Sequence, residues 1–439
     1  MHNLTPTTHV TVIPSFARRT FRGSRKATPC FKSLGLRGSF LIALLLSTLN
    51  FQPPLLAQGG ITPTLPPGPT MKTLDQVEAR TPIDAAHTPG DGTNEFIIDQ
   101  AGSYYLTGNL KVFTDNGIHI TAAGVTVDLN GFQIARASGS GSGILVDALA
   151  DNCAIRNGSV TGFVFGIGAP ISRGGAISHV IASNCSLGLS AGRGWQIESC
   201  NAHDNLGDGI QTSEGCTVRS SSSSKNGGIG FNIGHGSSIL GCSASENQGM
   251  TAATAGGIST GDGCTIAHCT ARSNTSPFSL SAGIITGFSA TITDCSATFN
   301  TNTNASPTGS TGAGIIPGRH SKVQNCSVSN NKGDGITATG ECTIVANVCS
   351  FNGSSTSGAG VHVVGSANRV EGNNVTKNGR GIDVDTSGNL IIKNSASGST
   401  GTGTPSANYD IVAANFVGTI VTTEAAMNSA TSSNINISY

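Results

Sequence analysis

The feature that most constrains this chain is a short repeated pair, glycine followed by an apolar residue, which occurs twelve times. The glycines are Gly117, Gly143, Gly166, Gly188, Gly209, Gly230, Gly257, Gly283, Gly314, Gly335, Gly360 and Gly381. The shortest spacing is 21 residues, as from Gly188 to Gly209 to Gly230, and insertions lengthen the other spacings. A period of this length indicates a solenoid, in which each unit buries its apolar face only by stacking on its neighbours.

Other positions recur at fixed distances from the glycine. Seven residues after it lies a position that we call the anchor, occupied in the central units by Trp195, Cys216, Ser237, Cys264, Ala290, Ser321 and Cys342. Isoleucine or valine follows at anchor plus two. Cysteine is frequent at plus five, as Cys200, Cys242, Cys269, Cys295 and Cys326. Asparagine recurs at plus ten, as Asn205, Asn226, Asn247, Asn274, Asn300, Asn331 and Asn352.

This alternation predicts short strands that each turn one face inward and stack in parallel at about 4.8 Å per coil. We expect the repeated glycines to occupy tight or left-handed turns between the sheets. We expect the repeated asparagine to adopt left-handed backbone at one corner and to bond the asparagines of the coils above and below.

Composition excludes several other classes. The chain of 439 residues contains 60 glycines without a three-residue period, which rules out collagen. Its 37% hydrophobic and 11% charged residues fit neither a membrane bundle nor a highly charged disordered chain.

The N-terminal region predicts export. Residues 1–57 carry seven basic and no acidic residues. The apolar run Phe40 to Leu49 follows the last of the basic residues, and a cleavage site is expected after Ala57. This pattern is typical of a secretory signal peptide, and an uncleaved membrane anchor is the alternative. Residues 58–70 have the composition of a Pro/Gly/Thr linker, and residues 71–439 form the repeat domain with terminal caps. Thr73 to Arg80 predicts a short capping helix over the first coil, and Tyr409 to Val421 a cap over the last.

Four segments carry a family resemblance: TMKTLDQVEARTPI (70–83), GSYYLTGNL (102–110), VTVDLNGF (125–132) and NYDIVAANFVGTIV (408–421). With the repeat, they resemble secreted bacterial right-handed parallel β-helix proteins of the pectate-lyase-like superfamily, whose members are mostly uncharacterised. The resemblance implies an all-β fold, a single-stranded right-handed parallel β-helix (solenoid) of about twelve coils with a short N-terminal capping helix. It implies no particular activity, because this fold carries both enzymes and non-catalytic surface proteins.

The cysteine count and the net charge must be evaluated for the chain without the leader. Eleven of the 12 cysteines remain, and nine of them fall on the two inward columns at the anchor and plus five. We therefore predict buried free thiols, with disulfides between some neighbours as the alternative. The remaining chain has 17 basic and 24 acidic residues, a net charge of about −7 that argues against a nucleic-acid partner.

Few residues suggest chemistry. His235 lies in a Gly-His-Gly segment similar to one in polygalacturonases, but the paired aspartates and the Arg-Ile-Lys segment of those enzymes are absent, so a turn histidine is favoured. His268 and Asp294 occupy plus four in successive coils, which predicts a pair about 5 Å apart. A surface pair is the simpler interpretation, but His268, Asp294 and His235 are also candidates for contact with a ligand, since a neighbouring carboxylate raises the pKa of a histidine. Glu198 and Arg219 share plus three in the same way and predict a surface ion pair.

Two further patterns bear on ligand binding. Asp208 and Asp334 precede repeat glycines five coils apart, so they predict no shared calcium ion and are expected to cap their own turns in solvent. Insertions at 248–256, 275–282 and 301–313 enter at one corner, with a smaller one at 353–359, and they predict a wall along one face that includes Met250 and Phe278.

Two functions are consistent with these patterns. The first is a secreted, non-catalytic structural, adhesive or glycan-binding module, monomeric, with an extracellular polysaccharide or cell-surface glycan as partner and no cofactor or metal. The alternative is a polysaccharide lyase or glycoside hydrolase with a non-standard site. A cluster of carboxyl groups with Arg or Lys on one face, beside the insertions, would favour the enzyme.

Overall fold

A computed structural model describes residues 79–250, 254–278, 280–303, 311–353, 358–403 and 405–439. The chain divides into two units, Met1–Gly68 and Pro69–Tyr439, and all the described residues belong to the second. The predicted leader and linker lie outside the described residues. So does most of the predicted capping helix, of which only Ala79 and Arg80 are described, and neither is helical.

The chain winds as a parallel β-solenoid with three strands per coil and three faces. Face 1 contains fourteen parallel strands, one per coil, and an antiparallel strand at its C-terminal end. The parallel strands are Asn94–Ile98, Asn116–Ile120, Ser142–Val146, Phe165–Arg173, Leu187–Arg193, Ile210–Thr212, Phe231–Ile233, Thr254–Thr260, Leu280–Thr286, Thr311–Ile316, Ile336–Ala338, Ala359–Val363, Arg380–Val384 and Tyr409–Ile411, and the antiparallel strand is Pro405–Ser406.

Faces 2 and 3 form one 28-stranded sheet, because two long strands, Ala154–Thr161 and Ala176–Ser183, run across both faces. The other strands of face 2 are Thr81–Pro82, Gly102–Tyr105, Val125–Asp128, Gln196–Glu198, Thr217–Arg219, Ser238–Leu240, Thr265–Ala267, Thr291–Thr293, Lys322–Gln324, Thr343–Val345, Arg369–Glu371, Leu390–Ile392 and Phe416–Val417. Those of face 3 are Leu110–Val112, Gln133–Arg136, Asn201–His203, Ser222–Ser224, Ser243–Ser245, Thr270–Arg272, Ser296–Thr298, Ser327–Ser329, Val348–Ser350, Asn374–Thr376, Ser395–Ser397, Ile420–Val421 and Asn436–Ser438.

Two smaller features complete the architecture. A two-stranded sheet of Thr275–Ser276 and Thr301–Asn302 begins two of the insertions. The one helix in the described part of the chain is Glu424–Ser429, capped by the Thr423 side chain, which accepts a hydrogen bond from the Ala426 N–H. No helix among the described residues is long and apolar enough to cross a membrane.

The repeat pattern counts two coils fewer than the structure contains. The first strand of face 1 pairs Phe96 with Ile118, and the last pairs Tyr409 with Ile382. At the glycine position these coils carry Glu95 and Asn408, so the glycine signal misses them. The segment predicted as a C-terminal cap therefore begins with the fourteenth strand of face 1.

The interior confirms the predicted inward columns. One continuous core of Ile, Val, Ala and Cys side chains runs through the coils. All eleven cysteines of the described residues are buried free thiols. Outside the stacked run from Cys242 to Cys326, burial raises the pKa of several of these thiols, for example that of Cys200 to about 11. They therefore act as small apolar side chains.

The asparagine ladder is confirmed at anchor plus ten. Eight consecutive side chains are joined from coil to coil by Nδ2 to Oδ1 hydrogen bonds of 2.8–3.1 Å: Asn205, Asn226, Asn247, Asn274, Asn300, Asn331, Asn352 and Asn378. Two further ladders, not expected from the sequence, lie at the C-terminal end. They are Asn368–Asn389–Asn415 at the anchor and Asn347–Asn373–Asn394 at plus five, and Asn436, after a longer connection, continues the second ladder in the last coil.

The expected backbone roles of asparagine and glycine are wrong. The left-handed residue at the ladder corner is the one before the asparagine, as at Lys225, with a φ of 55°, before Asn226. That residue turns the chain, so the next side chain points inward, where the amides can stack. None of the twelve repeated glycines has a positive φ. These positions have no room for a side chain. A Cβ on Gly257 would lie 2.5 Å from Asn274 Nδ2, and seven other repeat glycines show the same conflict with a ladder asparagine at 2.5–2.9 Å.

Candidate functional site

Face 1 presents one outward side chain per coil two residues after the repeat glycine, and at the C-terminal end this outward column becomes charged. Strand pairing aligns Thr337 with His362, His362 with Asp383, and Asp383 with Asp410. At about 4.8 Å per coil, these four side chains extend over about 14 Å of the face. We call the following six residues the His362 cluster: Asp334, His362, Arg380, Asp383, Asp385 and Asp410.

His362 is held between two carboxyl groups from different coils. Its Nδ1 lies 2.8 Å from Oδ2 of Asp334, whose side chain is fully buried. Its Nε2 lies 3.0 Å from Oδ2 of Asp385, whose side chain is 56% exposed. Asp334 also accepts hydrogen bonds from the Ala359 N–H and the Thr337 hydroxyl. The imidazole is thus fixed in orientation, with its outer nitrogen next to solvent-facing Asp385.

Asp383 and Arg380 form the second half of the cluster. The Asp383 carboxyl lies 3.8 Å from His362 Nε2 and accepts a close hydrogen bond from Arg380 Nη1. Arg380 Nε lies 3.4 Å from Asp410 Oδ2 and donates to the Thr402 carbonyl. One guanidinium therefore joins carboxyl groups from two coils.

Burial and charge determine the protonation of this cluster. Burial alone would lower the pKa of His362, but hydrogen bonds and charge attraction from Asp334, Asp385 and Asp383 outweigh it and raise the pKa to about 9. Burial raises the pKa of Asp383, although the His362 and Arg380 charges oppose that shift. His362 is therefore protonated at neutral pH.

Three of these side chains could supply metal ligands. One ligating atom each of His362, Asp383 and Asp385 lies within 4.8 Å of the others. However, Asp383 is bonded to Arg380 and Asp385 to His362, which is protonated at neutral pH. A cation would have to displace that proton, so the arrangement favours the ion-pair network.

The aspartates that precede repeat glycines do not cap their own turns in solvent, which corrects that expectation. Asp334 bonds His362 and Ala359 of the next coil. Asp208 is buried and accepts hydrogen bonds from the Ile229 N–H and the Asn232 amide, also in the next coil. Each carboxyl therefore links successive coils.

His268 and Asp294 lie in neighbouring coils, as the pairing of Ala267 with Thr293 shows. Both are exposed and have left-handed backbone, with φ of 54° at each. No hydrogen bond or ion pair joins their side chains in the described part of the chain. The other predicted pair is confirmed, because Arg219 Nη2 lies 2.8 Å from Glu198 Oε2.

His235 lies in a turn and is 67% exposed. Its Nδ1 accepts the Asp262 N–H at 2.9 Å. That nitrogen also lies 3.4 Å from the Asp262 carboxyl, but its lone pair is already used by the N–H, so we regard the contact as proximity without an ion pair. The histidine fixes a turn between coils, and no described carboxylate pair accompanies it.

Met250 lines a cavity of about 320 Å³ at the insertion corner, together with Gln248, Thr275, Pro277 and Thr303. Phe278, next to Pro277, is half-buried and its N–H donates to the Ser276 hydroxyl. A ligand-contacting role for these two residues remains a prediction.

The sequence did contain a signal for the His362 cluster. Reading two residues after each repeat glycine gives Thr337, His362 and Asp383 in successive coils. The recurring positions of the sequence were counted from the anchor, and most of them are inward positions or corner positions outside face 1. Outward positions of face 1 were not aligned, so the cluster was missed.

Residues 255–397 match the protein family described as "Right handed beta helix region". No curated protein matches the sequence. Similar solved structures include the Dettilon tailspike protein, with 13% identity and a TM-score of 0.34 over 69% of this chain and 58% of that one. Another is the A-module of a mannuronan C-5 epimerase of Azotobacter vinelandii, with 14% identity and a TM-score of 0.39 over 77% and 91%. A third is PfbA, a surface adhesin of Streptococcus pneumoniae, with 11% identity and a TM-score of 0.34 over 69% and 82%.

The chain spans 58% of the length of the tailspike protein. These similarities are too low to carry a function from one protein to another. The family match covers about a third of the chain, and together with the parallel three-faced coils it supports the fold of a right-handed parallel β-helix.

Proposed function

We propose that the protein is a secreted, extracellular glycan-binding β-helix, and that the His362 cluster contacts the ligand. The observation that carries the proposal is a fixed set of polar side chains on the outer surface of face 1. Asp385 is half-exposed, and Arg380 and Asp410 are partly exposed beside it. Carboxyl and guanidinium groups in a fixed array can accept and donate hydrogen bonds to several sugar hydroxyls at once. The basic, apolar N-terminal region supports export.

The position of the cluster also supports this proposal. Towards the N-terminus, the outward column continues from Thr337 to Ile316 and then to Ile285. These two isoleucines are buried and form a small apolar cluster with Ala313 and Ala282, separate from the main core. The insertions enter beside the strands of these residues. A ligand at the cluster would therefore lie on the same face as the strands that follow the insertions.

The experiment is a binding screen of the full chain against soluble neutral polysaccharides by affinity electrophoresis. We expect Asp385→Asn to weaken binding at least tenfold, because it replaces one of two solvent-facing acceptor oxygens by an NH2 donor and removes the negative charge without disturbing the core. The control is His119→Gln, since His119 lies in the same outward column and bonds Asp147 at 2.8 Å but forms no ion pair with an arginine or a second aspartate in the described part of the chain. Unchanged binding by Asp385→Asn, or equal loss in His119→Gln, would contradict the proposal.

A second candidate function is cleavage of the bound glycan at the same cluster. It is favoured by one observation, the contact between protonated His362 and exposed Asp385. In hydrolysis, His362 would donate its proton to the leaving oxygen and Asp385 would take a proton from the attacking water. The test is release of reducing ends and of unsaturated products from the polysaccharides that bind. Product formed by wild-type protein and lost in His362→Gln supports cleavage, and binding without product restricts the function to binding.

A further inference from the structure

We infer that one corner of the solenoid is a binding site for a carboxylated polysaccharide. It comprises five side chains, which we call the corner row: Arg272, Phe299, Asn330, Phe351 and Lys377. The inference extends the proposed function, on which it rests for the ligand being a glycan, but it uses residues outside the His362 cluster.

Phe299, Asn330, Phe351 and Lys377 lie in successive coils on one line, and Arg272 lies in the preceding coil, one residue before that line. Phe299, Asn330 and Phe351 each follow a strand of face 3, and those strands pair through Thr298, Ser329 and Ser350. The Phe299 N–H donates to the Ser329 carbonyl, and the Phe351 N–H donates to the Thr376 carbonyl, both at 3.2 Å. One coil separates the two phenylalanines, so their backbones are about 10 Å apart along the solenoid axis.

The corner position is left-handed in the other coils as well, but a half-exposed aromatic residue at this position is unusual. The φ angles of Phe299 and Phe351 are 58° and 56°, in the left-handed region that bulky residues rarely adopt. Their side chains are 47% and 52% exposed. In other coils this position carries Asp204, Lys225, Glu246, Ser273, Asn330 and Lys377, which are polar. Neither folding nor burial explains an aromatic ring here, and strained residues that persist at a surface often serve a ligand.

A cation lies over each ring. The Arg272 guanidinium lies 5.7 Å from the centre of the Phe299 ring, and the Lys377 ammonium lies 5.4 Å from that of Phe351. Arg272 belongs to the coil before Phe299 and Lys377 to the coil after Phe351, so the Asn330 coil lies between the two ring and cation pairs.

This arrangement suits an extended chain of acidic sugars. The apolar face of a sugar ring packs on an aromatic ring, Arg and Lys bind carboxylates, and the Asn330 amide can bond hydroxyls. The two rings are about 10 Å apart along the axis, and the backbones of Arg272 and Lys377, four coils apart, are separated by about 19 Å, so an extended chain of several sugar units could contact both rings and both cations. Lys332, two residues after Asn330, adds a further exposed positive charge at this corner. The charge is notable because the chain after residue 57 is acidic overall.

The corner row also adjoins the His362 cluster. Lys377 precedes Arg380 by three residues, a separation of at most about 11 Å. A glycan that follows the corner could continue onto face 1, with acidic sugars on the corner row and uncharged sugars at the cluster.

The test measures binding of a polygalacturonate octasaccharide to the full chain by calorimetry at low salt. The variant Phe299→Ser/Phe351→Ser uses the residue that occupies the equivalent position at Ser273, so it should fold. The control is Phe113→Ser, because Phe113 is 62% exposed and has Lys111 at 5.3 Å from its ring, away from the corner row. We expect the double variant to bind at least tenfold more weakly, the control to bind as wild type, and added salt to weaken wild-type binding.

Two results would overturn the inference: no binding of the octasaccharide by the wild-type chain, or equal binding by the double variant. Tighter binding of a single-stranded oligothymidylate than of the octasaccharide would also overturn it, since stacked bases could use the same rings and cations. Asp385→Asn separates the two proposals. If it leaves octasaccharide binding intact and also leaves neutral-glycan binding intact, the cluster fails as a site while the corner row stands.

Discussion

The central and C-terminal coils use the same inward position in different ways. At anchor plus five, the central coils carry Cys200, Cys242, Cys269, Cys295 and Cys326, and the C-terminal coils carry Asn347, Asn373, Asn394 and Asn436. Backbone pairing is the same in both regions, so the coil accepts either a thiol or an amide of similar reach.

The two side chains differ in what they bond. Asn373 accepts the Asn347 N–H at 2.9 Å and donates to the Ile344 carbonyl and to Asn394 Oδ1 at 3.0 Å. Cys295 offers only a weak S–H donor, whose nearest carbonyl oxygen is that of Thr293 at 3.1 Å. The amide therefore satisfies buried polar groups of two coils, whereas the thiol mainly fills space.

The largest expected effect separates these two roles. Asn373→Ala should lower the free energy of unfolding by about 4 kcal/mol, because it leaves several buried donors and acceptors unsatisfied. Cys295→Ala, at the equivalent position, should cost about 1 kcal/mol through lost packing. Urea unfolding followed by circular dichroism checks both. Equal losses would show that the amide ladder contributes no more than its volume.

A somewhat smaller effect is expected from the glycine that packs on the ladder. In Gly257→Ala, the new Cβ would lie 2.5 Å from Asn274 Nδ2 and 3.0 Å from the Ala244 Cβ, so the amide must move. We expect a loss of about 3 kcal/mol by the same urea measurement.

The control for that variant is Gly263→Ala. Gly263 has a φ of 65° and open space around its Cβ position, so it tests backbone strain without a clash. It should cost about 1 kcal/mol. A larger loss at Gly263 than at Gly257 would mean that backbone conformation, and not the ladder, requires the repeated glycines.

The smallest of the three effects concerns pH and only the C-terminal coils. The pKa of His362 is raised to about 9, so its stabilisation is fully present below its unfolded pKa of 6.5 and is lost as pH rises through 9. The groups facing it are Asp334, Asp383 and Asp385, with Arg380 behind Asp383. We expect wild-type stability to fall by on the order of 2 kcal/mol between pH 6.5 and 9.5.

The same measurement on two variants isolates this contribution. His362→Gln should remove most of the fall, and His119→Gln should retain it. An identical pH profile for wild type and His362→Gln would show that the histidine is not held protonated by its neighbours.

The sequence predicted the inward features well because they recur in many coils. The buried cysteine columns and the ladder at plus ten followed from spacing alone. Spacing also predicted one surface contact, the ion pair of Glu198 with Arg219. Glu95 and Asn408 concealed the first and last coils, since a repeat defined by glycine cannot detect units that lack it.

Features that depend on three-dimensional contact were less accessible. The clash between a Cβ at Gly257 and the Asn274 amide joins residues 17 positions apart, at opposite ends of one coil, and no local pattern shows it. His362 and its carboxyl partners come from three coils and occur once, so repetition gives no signal for them. Phe299 and Phe351 were not noticed because one polar coil separates them.

Because all coils have the same height, the solenoid fixes the distances between its outward side chains. Any two outward side chains on one line are separated by a whole number of steps of about 4.8 Å, whatever the side chains between them. Removing the 21 residues from Asn330 to Ser350 would bring Phe299 and Phe351 one step closer while leaving each ring in its own turn. Duplicating those residues would separate the rings by one step more. Gain or loss of whole repeats could therefore change the length of ligand that fits this surface, without any substitution of a contact residue.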